Sequence, residues 1–427
     1  MKYFCDLFAF VRNFQGFWKL CVLLFLVVQV SYNLCADVSK TFLSKNVLSV
    51  LSETSKVKID SLDQLPADIS FLCADLKYTG KAIKICEFGR MLSNIRSTPV
   101  MINGKEEILA IPHWDLFWHY LAQFNKPIWY VGKQKGRVLK EFSAQGKSFE
   151  TLSEFLTYFN KIARHNKDVK LGTLQDYAGI LVVNDRHVKL DKIKQKHSNI
   201  LIVNGYTDIF TQKTHSFGLF TENNELKNFS PGWKEYKKEY APELTQTIMR
   251  DIPADFYIIK PIKAVQSRGV LMITKEDLDY YLKLILGNNK TTQSPYDDNI
   301  TYWRTDTFES FYVQEYVPSK EVIIKGKKYD PTMRLFFFLS HDQGFLTVNV
   351  LAGYWKIPLK SLDEPGALME KHISHALLGR DFTGLLIDSE NLNHAKKIMG
   401  DMLSSLYPKM LKYATDRSKK GKNSLGA

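Results

Sequence analysis

The sequence contains little that would mark a metal-binding or a nucleic-acid-binding protein. Five cysteines occur in 427 residues, but no CxxC pair and no histidine-rich cluster accompanies them, so the spacing of a structural metal site is missing. Zinc-finger spacing and an RNP-like aromatic motif are missing too, and the lysines are spread along the chain instead of forming a long basic block. We therefore expect no nucleic acid partner. The formal charge of +13 nevertheless favours acidic partners, such as nucleotides, acidic peptides or an anionic membrane.

A repeat of fixed period is absent as well. The composition, 45% hydrophobic and 24% charged, is that of an ordinary globular protein rather than a disordered one. A length of 427 residues allows two or three domains. The segment 416–427 (DRSKKGKNSLGA) is basic and poor in apolar residues, which predicts a disordered tail.

The N-terminus contains an apolar run of eleven residues, 20–30 (LCVLLFLVVQV). Three basic residues precede it, and the small residue Ala36 follows it shortly afterwards. This order is typical of a secretory signal, and the run is short for a dedicated membrane-spanning helix. We therefore predict a signal peptide or membrane anchor at residues 1–36.

Other interpretations of this run stay open. Extending it back to Phe14 gives an anchor over residues 14–30 that would associate the protein with a membrane, although Lys19 then falls inside it. A buried core helix is a further alternative. A cleaved signal would make the protein secreted, whereas a retained anchor would make it membrane-associated.

Two cysteines follow the predicted leader, Cys73 and Cys86. They lie symmetrically in SFLCADL, KYTGK and AIKICEF, which predicts a β-hairpin with Thr79-Gly80 as a two-residue turn. In that register Cys73 faces Cys86. A disulfide would then form in an oxidising compartment. The alternative, which we prefer, is two small apolar residues paired across the hairpin.

After the hairpin, helix-spaced apolar residues alternate with short apolar runs. Helices are predicted at 114–124 and 148–165, and strands at 127–132, 179–184 and 199–204. Strands that alternate with helices favour a mostly parallel sheet. The fold class predicted for this part of the chain is therefore α/β.

The second half of the chain has the pattern of an α+β fold. Helices are predicted at 242–252, 275–287 and 389–413, the last capped by Ser389, with a polar spacer at 288–306. Four β-rich segments (FYVQEYV, EVIIKGKKYD, TMRLFFFLS and FLTVNVLAGYW) lie between them. Gly and Asp turn residues among these segments favour antiparallel pairing.

The stretch FYIIKPIKAVQSRGV ends a buried-looking strand with Lys260. A lysine there, with its stem among apolar residues, aims one compact positive charge into a cleft. The loop after it contains Ser267 and Gly269, and because glycine carries no Cβ, backbone N–H groups of the loop can fold over an anion. Lysine with backbone donors predicts a phosphate site. The alternative is a surface lysine whose ammonium group reaches water.

A second element, FYVQEYVPSKEV, breaks as a strand at Gln314-Glu315 and resumes at Glu321. A broken strand exposes unpaired backbone N–H and C=O groups, which the recognition of an adenine edge requires. The Glu321 carboxylate can accept hydrogen bonds from ribose hydroxyls. The alternative for both glutamates is an ordinary charge at a strand edge.

A third element, KKYDPTMRLFFFL, places Lys328, Asp330 and Arg334 before and within a strand. Lys328 and Arg334 can bind a terminal phosphate or an acyl phosphate. A structural ion pair is the alternative for Arg334. The run 336–338 of three phenylalanines is predicted to be core.

Taken in order, these elements resemble the ATP-grasp superfamily, and the last of them is similar to its tubulin–tyrosine-ligase-like and glutathione-synthetase-like members. The resemblance covers residues 200–376. It implies an ATP-grasp architecture of the α/β (α+β) class. An N-terminal α/β substrate-side domain with the hairpin would occupy 37–205, and two α+β nucleotide-gripping subdomains would occupy 206–415.

The resemblance also implies nucleotide-binding residues. Lys260 would contact the α- and β-phosphates, and Lys213, in TDIFTQKTHSFGLF, is similar to a first nucleotide lysine of the superfamily. Ser267 and Gly269 would lie in the loop that covers the phosphates. The adenine hinge would consist of Gln314, Glu315 and Val317, and Glu321 would bind the ribose.

Catalytic residues are implied in the same way. Lys328, Asp330 and Arg334 resemble the KxDxR element of the tyrosine-ligase branch, although three residues separate Asp330 from Arg334 here instead of one. Lys356 falls where that branch has an arginine, and His372 where it has a histidine. The two nucleotide lysines and Arg334 would stabilise negative charge that develops during transfer.

The function that the resemblance implies is ATP-dependent ligation of a carboxylate to an amine or thiol, through an acyl phosphate and with release of ADP. ATP and Mg²⁺ would be the cofactors, and the substrate a small molecule or peptide with a carboxylate. Two alternatives stay open: a catalytically inactive or regulatory nucleotide-binding protein, and a secreted adhesion or envelope protein, which the leader alone suggests. ATP use implies access to a cytosol, whereas the leader implies export.

The sequence departs from the superfamily at the metal ligands, which are unknown. Its members hold magnesium with an acidic residue on a late strand and an E-x-N on the next. Here the segment LLIDSENLNHAKK offers Asp388, Glu390, Asn391 and Asn393. The alternative is the capped start of a helix, where acidic residues favour the helix dipole. Arg268, where many members have glycine, would add a phosphate contact or stiffen the loop.

Overall fold

The computed structural model describes residues 56–58, 65, 67–90, 98–102, 105–109, 113–132, 146–162, 173–184, 190–262, 267–287, 297–373 and 383–423. They belong to one compact unit, Ser55–Ala427. The predicted signal peptide or anchor, residues 1–36 and 14–30, lies outside the described residues. None of the helices in the described ranges is both long enough and apolar enough to cross a membrane.

The strands, numbered in chain order, are β1 (Lys56–Lys58), β2 (Asp68–Tyr78), β3 (Ile83–Arg90), β4 (Thr98–Ile102), β5 (Lys105–Leu109), β6 (Ile128–Val131), β7 (Gly146–Phe149), β8 (Gly179–Val183), β9 (Ile200–Ile202), β10 (Trp233–Lys237), β11 (Phe256–Pro261), β12 (Leu271–Thr274), β13 (Ser310–Glu315), β14 (Val322–Ile324), β15 (Lys327–Tyr329), β16 (Thr332–Asp342), β17 (Phe345–Ile357) and β18 (Thr383–Leu386). The α-helices are α1 (His113–Ala122), α2 (Leu152–Ile162), α3 (Leu190–Lys196), α4 (Lys213–Glu222), α5 (Leu244–Asp251), α6 (Leu278–Leu286), α7 (Asp297–Thr305), α8 (Leu368–His372) and α9 (Ser389–Asn423). Short 3-10 helices cover Leu174–Asp176, Asp208–Thr211 and Lys227–Phe229.

The largest sheet among the described strands has the order β3-β2-β16-β17-β18-β4-β5, with β1 beside β17. β16 pairs antiparallel with both β17 and β2. Alternate residues of β2 and β16 are apolar and face a core to which α9 also contributes. The predicted antiparallel pairing of TMRLFFFLS with FLTVNVLAGYW is therefore confirmed, and the run 336–338 is buried as predicted.

A second sheet, β7-β6-β8-β9, has only parallel pairs among the strands described. β6, β8 and β9 are buried along their whole length, as expected of parallel strands covered on both faces. The predicted parallel sheet is confirmed. α2 begins later than predicted: Ser148 lies in β7, and the helix is capped by Thr151, whose Oγ1 accepts a hydrogen bond from the Glu154 N–H at 3.2 Å.

A third sheet, β10-β13-β11-β12, is antiparallel in its described pairs and has its own core with α5, α6 and α7. α7 lies inside 288–306, where the sequence predicts a polar spacer. It packs there because Ile300 and Trp303, three residues apart on one helix face, are both buried. β14 and β15 form a separate two-stranded hairpin.

The predicted hairpin exists as β2 and β3, but its register differs from the prediction. Thr79 donates its N–H to the carbonyl oxygen of Ala82 at 3.0 Å and Tyr78 lies opposite Ile83, so the turn is centred on Gly80 and Lys81 instead of Thr79 and Gly80. A β-bulge shifts the register further, and Cys73 lies opposite Gly89 instead of Cys86. The predicted facing of the cysteines is therefore wrong, and both of these described residues are thiols.

Helix α9 begins one residue after its cap. The Asp388 carboxylate accepts hydrogen bonds from the N–H of Asn391 at 2.9 Å and from its side-chain amide at 2.6 Å, so the cap is Asp388, not Ser389 as predicted. The interpretation of this segment as a capped helix start is confirmed. The helix continues to Asn423, into the segment 416–427 for which the sequence predicts a disordered tail.

The chain thus has the mixed α/β fold class that the sequence predicts. β2 and β3 come from the predicted N-terminal domain, yet they lie in the same sheet as β16 and β17. The predicted boundary between residues 205 and 206 stays a prediction.

Candidate functional site

One face of the β2–β3 hairpin carries charged residues inside an otherwise apolar sheet. Leu76 belongs to the core on one face of β2, so Asp75 and Lys77, its neighbours in the chain, lie on the other. The bulge between Asp75 and Leu76 sets Asp75 opposite Glu87 of β3. Cys86 is the extra residue, so two side chains of β3, Cys86 and Glu87, oppose Asp75.

Asp75 binds two cations from the next strands of the sheet. Arg334 on β16 lies directly opposite it and donates from Nε and Nη2 to the two carboxylate oxygens at 2.6 and 2.8 Å. Lys356 on β17 donates to Asp75 Oδ2 at 2.8 Å. All three residues are less than a tenth exposed. Burial alone would raise the pKa of Asp75, but the two cations outweigh it and hold that pKa well below its usual range.

Arg334 and Lys356, both predicted as catalytic, therefore bind the same carboxylate, that of Asp75. The planar guanidinium of Arg334 is fixed by two parallel hydrogen bonds, which set its orientation as well as its charge. Burial lowers the pKa of Lys356, and the like charge of Arg334 lowers it further, although Asp75 acts in the opposite direction.

Lys213 and Glu87 form a second ion pair on the same face. Lys213 is the first residue of α4, and its Nζ lies 3.0 Å from Glu87 Oε2. Burial alone would lower the pKa of Lys213, but the phenol of Tyr312 and the Glu87 carboxylate raise it above its usual value. Burial would likewise raise the pKa of Glu87, and the charge of Lys213 lowers it instead. Each partner thus keeps the other ionised.

Lys260 extends from the end of β11 into this region. It lies opposite Tyr312 on β13, with its Nζ 5.8 Å from the centre of the Tyr312 ring. The ammonium group donates a hydrogen bond to Gln314 Oε1. Burial, followed by the like charge of Lys213, lowers the pKa of Lys260 to about 8. Unlike the other cations described so far, Lys260 has a neutral amide as its hydrogen-bond acceptor here.

The two ion-paired groups and Lys260 share one electrostatic environment. The charges of Asp75, Lys356 and Lys260 all act on the pKa of Glu87, and Glu87 and Asp75 act on that of Lys260. Four cations therefore converge with two carboxylates, and we call this set the cation cluster: Lys213, Lys260, Arg334 and Lys356 with Asp75 and Glu87. Buried positive charge in excess of its counter-charges is costly, and an anion relieves that cost. The arrangement can hold phosphate groups.

Asp330 joins three elements beside the cation cluster. Its Oδ2 accepts hydrogen bonds from Lys77 Nζ at 3.0 Å, from His372 Nδ1 at 2.8 Å and from the Tyr316 hydroxyl. Its Oδ1 accepts from the Ser319 N–H at 2.7 Å. Burial alone would raise the pKa of Asp330, but the charge of Lys77 and these hydrogen bonds lower it. We interpret Asp330 as a residue that positions β2, α8 and the segment after β13, because its oxygens are already occupied by protein donors.

Four of the predicted site residues have other surroundings. Lys328 Nζ lies 3.4 Å from Glu321 Oε2, and the two side chains are 53% and 48% exposed. Glu315 accepts a hydrogen bond from the Gly232 N–H through Oε1 at 2.8 Å. Val317 is half-buried in the segment that follows β13. The structure therefore does not bring the predicted ribose ligand and Lys328 onto the cation cluster through any described contact.

The backbone at the end of β13 is more fully hydrogen-bonded than the sequence predicts. The Glu315 N–H donates to the Gly232 carbonyl oxygen at 2.8 Å, and the Tyr316 N–H to the Phe256 carbonyl oxygen at 3.0 Å. Contrary to the prediction, these two N–H groups are paired, because β10 and β11 flank β13 on its two sides. A side-chain donor is available instead: Gln314 Nε2 is buried and has no hydrogen-bond partner among the described residues.

Gly269 is packed into the protein. Its N–H donates to Asn299 Oδ1 at 3.0 Å, and its carbonyl oxygen accepts from Trp303 Nε1 at 2.7 Å. Its φ is +68°, and a Cβ would lie 2.7 Å from Pro261 Cγ, so only glycine fits. The N–H is engaged by α7, contrary to the expectation that it covers an anion. Ser267, also predicted in the loop, is half-buried with a φ of 56°.

The acidic side chains of this region are the candidates for holding a metal ion. In the described ranges of the chain, no group of three or more His, Cys, Asp or Glu side chains is arranged to hold a metal ion. Asp75 and Glu87 are paired with cations, and Asp388 caps α9. The described residues do not by themselves fit a magnesium site.

Sequence reasoning missed the residues that organise the site: Asp75, Lys77 and Glu87. One signal was present, because Asp75 and Lys77 interrupt β2, which is buried along its whole length. A charged residue in a buried strand requires a partner. Those partners lie far away in the sequence: Arg334 is 259 residues from Asp75, and Lys356 is 281 residues from it. Local patterns therefore could not identify them.

Comparison with known proteins gives structural neighbours only. No protein-family model matches the sequence, and no curated protein matches it. A solved structure named as a gamma-glutamylcysteine synthetase from Methylobacillus flagellatus KT is similar at 10% identity and a TM-score of 0.42, over 84% of this chain and 91% of that one. A glutathione synthetase-like effector from Globodera pallida, in its apo form, is similar at 13% identity and a TM-score of 0.36, over 76% and 77%.

D-alanyl-alanine synthetase A from Vibrio cholerae is similar at 10% identity and a TM-score of 0.28, over 67% of this chain and 81% of that one. At TM-scores of 0.42 and below, these likenesses say nothing about the activity or substrate of this chain.

Proposed function

We propose that the chain binds ATP with its phosphates against the cation cluster and acts as an ATP-dependent ligase of a carboxylate with an amine or a thiol. The observation that carries this proposal is the excess of positive charge in the cation cluster: three buried cations and the largely buried Lys213 have two carboxylates as counter-charges. Buried ammonium groups with too few counter-charges are costly until a ligand supplies negative charge. A triphosphate is such a ligand.

The proposed reaction has two steps. The γ-phosphoryl group leaves the oxygen that bridges it to ADP and bonds to an oxygen of the substrate carboxylate, which yields ADP and an acyl phosphate. The amine or thiol then attacks the acyl carbon, loses its proton and displaces inorganic phosphate. The substrate would be a small molecule or a peptide with a carboxylate, and the overall charge of +13 favours an acidic one.

The residues of the cation cluster would have different roles in this reaction, according to their surroundings. Lys213 and Lys260 would hold the phosphates, because Lys260 has only a neutral acceptor in the described contacts. Arg334 and Lys356, fixed by Asp75, would stabilise the charge that develops on the transferred group. His372, bound to Asp330, would help to position the neighbouring segment.

A nucleotide-binding protein without ligase activity is the second candidate. The observation in its favour is that Asp75 and Glu87 are both paired with cations, and that no metal-holding group occurs in the part of the chain that the structure describes. Phosphoryl transfer ordinarily uses a divalent cation bound by carboxylates to neutralise charge on the phosphates.

Two measurements distinguish these candidates. ATP binding is measured by calorimetry, and ADP release is measured in mixtures of carboxylates with amines or thiols. Lys260→Ala should weaken ATP binding about tenfold or more, because a charge-assisted hydrogen bond is lost. Lys275→Ala, at an exposed lysine, is the matched control and should bind as the wild type does.

The results of these two measurements distinguish the ligase from the nucleotide-binding protein. ADP release that needs both substrates supports the ligase. Binding that Lys260→Ala weakens, without turnover in any mixture, supports the second candidate. Failure of the wild type to bind ATP contradicts both.

A further inference from the structure

Both ring nitrogens of His215, on α4, contact helix α9. Nδ1 lies 3.0 Å from the Tyr413 hydroxyl oxygen, and Nε2 lies 2.8 Å from Arg417 Nη1. A guanidinium group is only a donor, so Nε2 accepts from Arg417, and the ring proton is on Nδ1, where it is donated to Tyr413. A protonated imidazole has N–H groups on both nitrogens. The hydrogen bond from Arg417 therefore exists only while His215 is neutral.

The surroundings of His215 favour this neutral form. The ring is half-buried, with its centre 5.7 Å from that of the Tyr413 ring. Burial, followed by the like charge of Arg417, lowers the pKa of His215 below its usual value of 6.5. Further charged groups lie on the elements that pack against α4, namely Glu87 on β3, Asp208 and Lys227 on two 3-10 helices, and Lys412 and Asp416 on α9. A proton on His215 would place its charge directly beside the guanidinium of Arg417.

His215 and Lys213 belong to the same turn of α4, which begins at Lys213. The His215 N–H donates to the Gln212 carbonyl oxygen at 3.1 Å, and Ser216 Oγ donates to the Lys213 carbonyl oxygen at 3.1 Å. Because these bonds join the backbone of one helical turn, a contact that fixes His215 also fixes the origin of the Lys213 side chain. Lys213 Nζ lies 3.0 Å from Glu87 Oε2. The end of α9 is thus linked to the cation cluster through the first turn of α4.

We propose that neutral His215 positions Lys213 for phosphate binding by joining α4 to Arg417, and that protonation of His215 weakens the binding of ATP. This inference rests on the proposed binding of ATP at the cation cluster. His215 acts through Lys213 and is a positioning residue. Lys213 itself stays charged in acid, since its pKa is raised above its usual value. ATP affinity should therefore fall as the pH falls through the pKa of His215.

The test measures ATP affinity by calorimetry at about pH 7.5 and at about pH 5. His215→Gln keeps an acceptor for Arg417 and a donor for Tyr413, but it does not titrate. It should bind ATP as the wild type does at the higher pH, and the wild type should lose about fivefold more affinity in acid than this variant loses. Protonation of ATP affects both proteins equally. His119→Gln, at an exposed position of α1, is the matched control and should lose affinity as the wild type does.

Arg417→Met tests the same contact from α9. It removes the donor that only neutral His215 can accept, so this variant should bind ATP about fivefold more weakly than the wild type at the higher pH and lose less affinity in acid. Because Arg417 is exposed, this variant decides the matter if His215→Gln does not fold, as judged by circular dichroism.

Three results would contradict the role of His215 and leave the proposed function standing. They are an equal loss of affinity in acid for the wild type and His215→Gln, a loss in Arg417→Met as large as in the wild type, and a wild type whose ATP affinity does not fall in acid. If the wild type binds no ATP at either pH, the proposed function fails and this inference fails with it.

Discussion

Two aspartates of strand β2, Asp68 and Asp75, are both buried, yet their surroundings shift their pKa values in opposite directions. Asp75 is bound by two cations, which hold its pKa below the usual range. Asp68 has hydroxyl partners: its Oδ2 accepts hydrogen bonds from Ser70 Oγ at 2.7 Å and from the Tyr407 hydroxyl at 2.6 Å. Burial raises the pKa of Asp68, and these hydrogen bonds offset the rise only in part.

The comparison shows that burial alone does not decide the charge of a carboxyl group. On the same strand, cations keep one aspartate ionised, whereas hydroxyl groups leave the other in surroundings that favour its protonated form. The ionised aspartate organises the proposed binding site. The other lies at the opposite end of β2, where the strand meets Thr207 through Ser70 Oγ at 2.6 Å.

Removing the charge of Asp75 should have the largest effect. Asp75→Asn leaves Arg334 and Lys356 buried without their counter-charge, so we expect a loss of about 3–5 kcal/mol in the free energy of unfolding. Asp68→Asn removes no ion pair of the described residues and should change it by about 1 kcal/mol or less. Urea denaturation of both variants at neutral pH measures the difference. Similar losses of unfolding free energy in Asp75→Asn and Asp68→Asn would contradict the different roles that we assign to the two aspartates.

Acid should affect the two aspartates with opposite signs. The pKa of Asp75 is below its usual value of 3.8, so its contribution to stability is complete above that pH and is lost as the pH falls through the folded-state pKa. The pKa of Asp68 is above 3.8, so its contribution is complete below that pH and is lost as the pH rises through the folded-state pKa.

The measurement is the difference in unfolding free energy between the wild type and each variant over a range of pH. Relative to Asp68→Asn, the wild type should gain stability as the pH is lowered towards 3.8. Relative to Asp75→Asn, it should lose stability as the pH falls below 3.8. If the two differences in unfolding free energy changed with pH in the same direction, the partners of Asp68 and Asp75 would not determine the direction of their pKa shifts.

Lys260 provides a test at alkaline pH. Its pKa is lowered to about 8 from a usual value of 10.5, so the unfolded chain binds more protons between these values and stability should rise with pH across that window. Binding of a phosphate needs the charged form, so ATP affinity should fall as the pH rises above 8. Lys260→Met should remove the stability rise. ATP affinity that is constant up to pH 10.5 would count against the assignment of phosphates to Lys260.

The pair of Lys328 and Glu321 should show the smallest effect. Both side chains are about half exposed, with their charged atoms 3.4 Å apart, so water screens the interaction that burial strengthens at Asp75. A double-mutant cycle of Lys328→Met and Glu321→Gln should give a coupling below about 1 kcal/mol. A larger value would place these two residues in a more organised site than their contacts indicate.

The sequence predicted those parts of the fold that depend on local pattern. The alternation of apolar runs and helices in 114–204 correctly indicated the parallel sheet, since buried strands between amphipathic helices have a short-range signature. The segment with three phenylalanines at 336–338 was correctly assigned to the core. Helix α7 was missed because only Ile300 and Trp303 mark its buried face within a polar stretch.

The candidate site was harder to predict because its members come from distant parts of the chain. The four cations were found as separate motifs, but the carboxylates that bring them together lie in a hairpin whose register depends on a bulge. That bulge has no signal in the sequence SFLCADL. The search for acidic residues therefore turned to Asp388, which caps a helix. The roles that the resemblance implies for these residues remain predictions.

Strand β2 lies between β3 and β16, in the interior of the largest sheet. During synthesis on the ribosome, residues 68–78 emerge long before residues 332–357, so Asp75 lacks Arg334 and Lys356 until those strands follow. The ordered form of the cation cluster can therefore arise only after β17 has left the exit tunnel. A fragment that lacks the hairpin would leave Arg334 and Lys356 without Asp75 and would expose the edge of β16 to association with other chains.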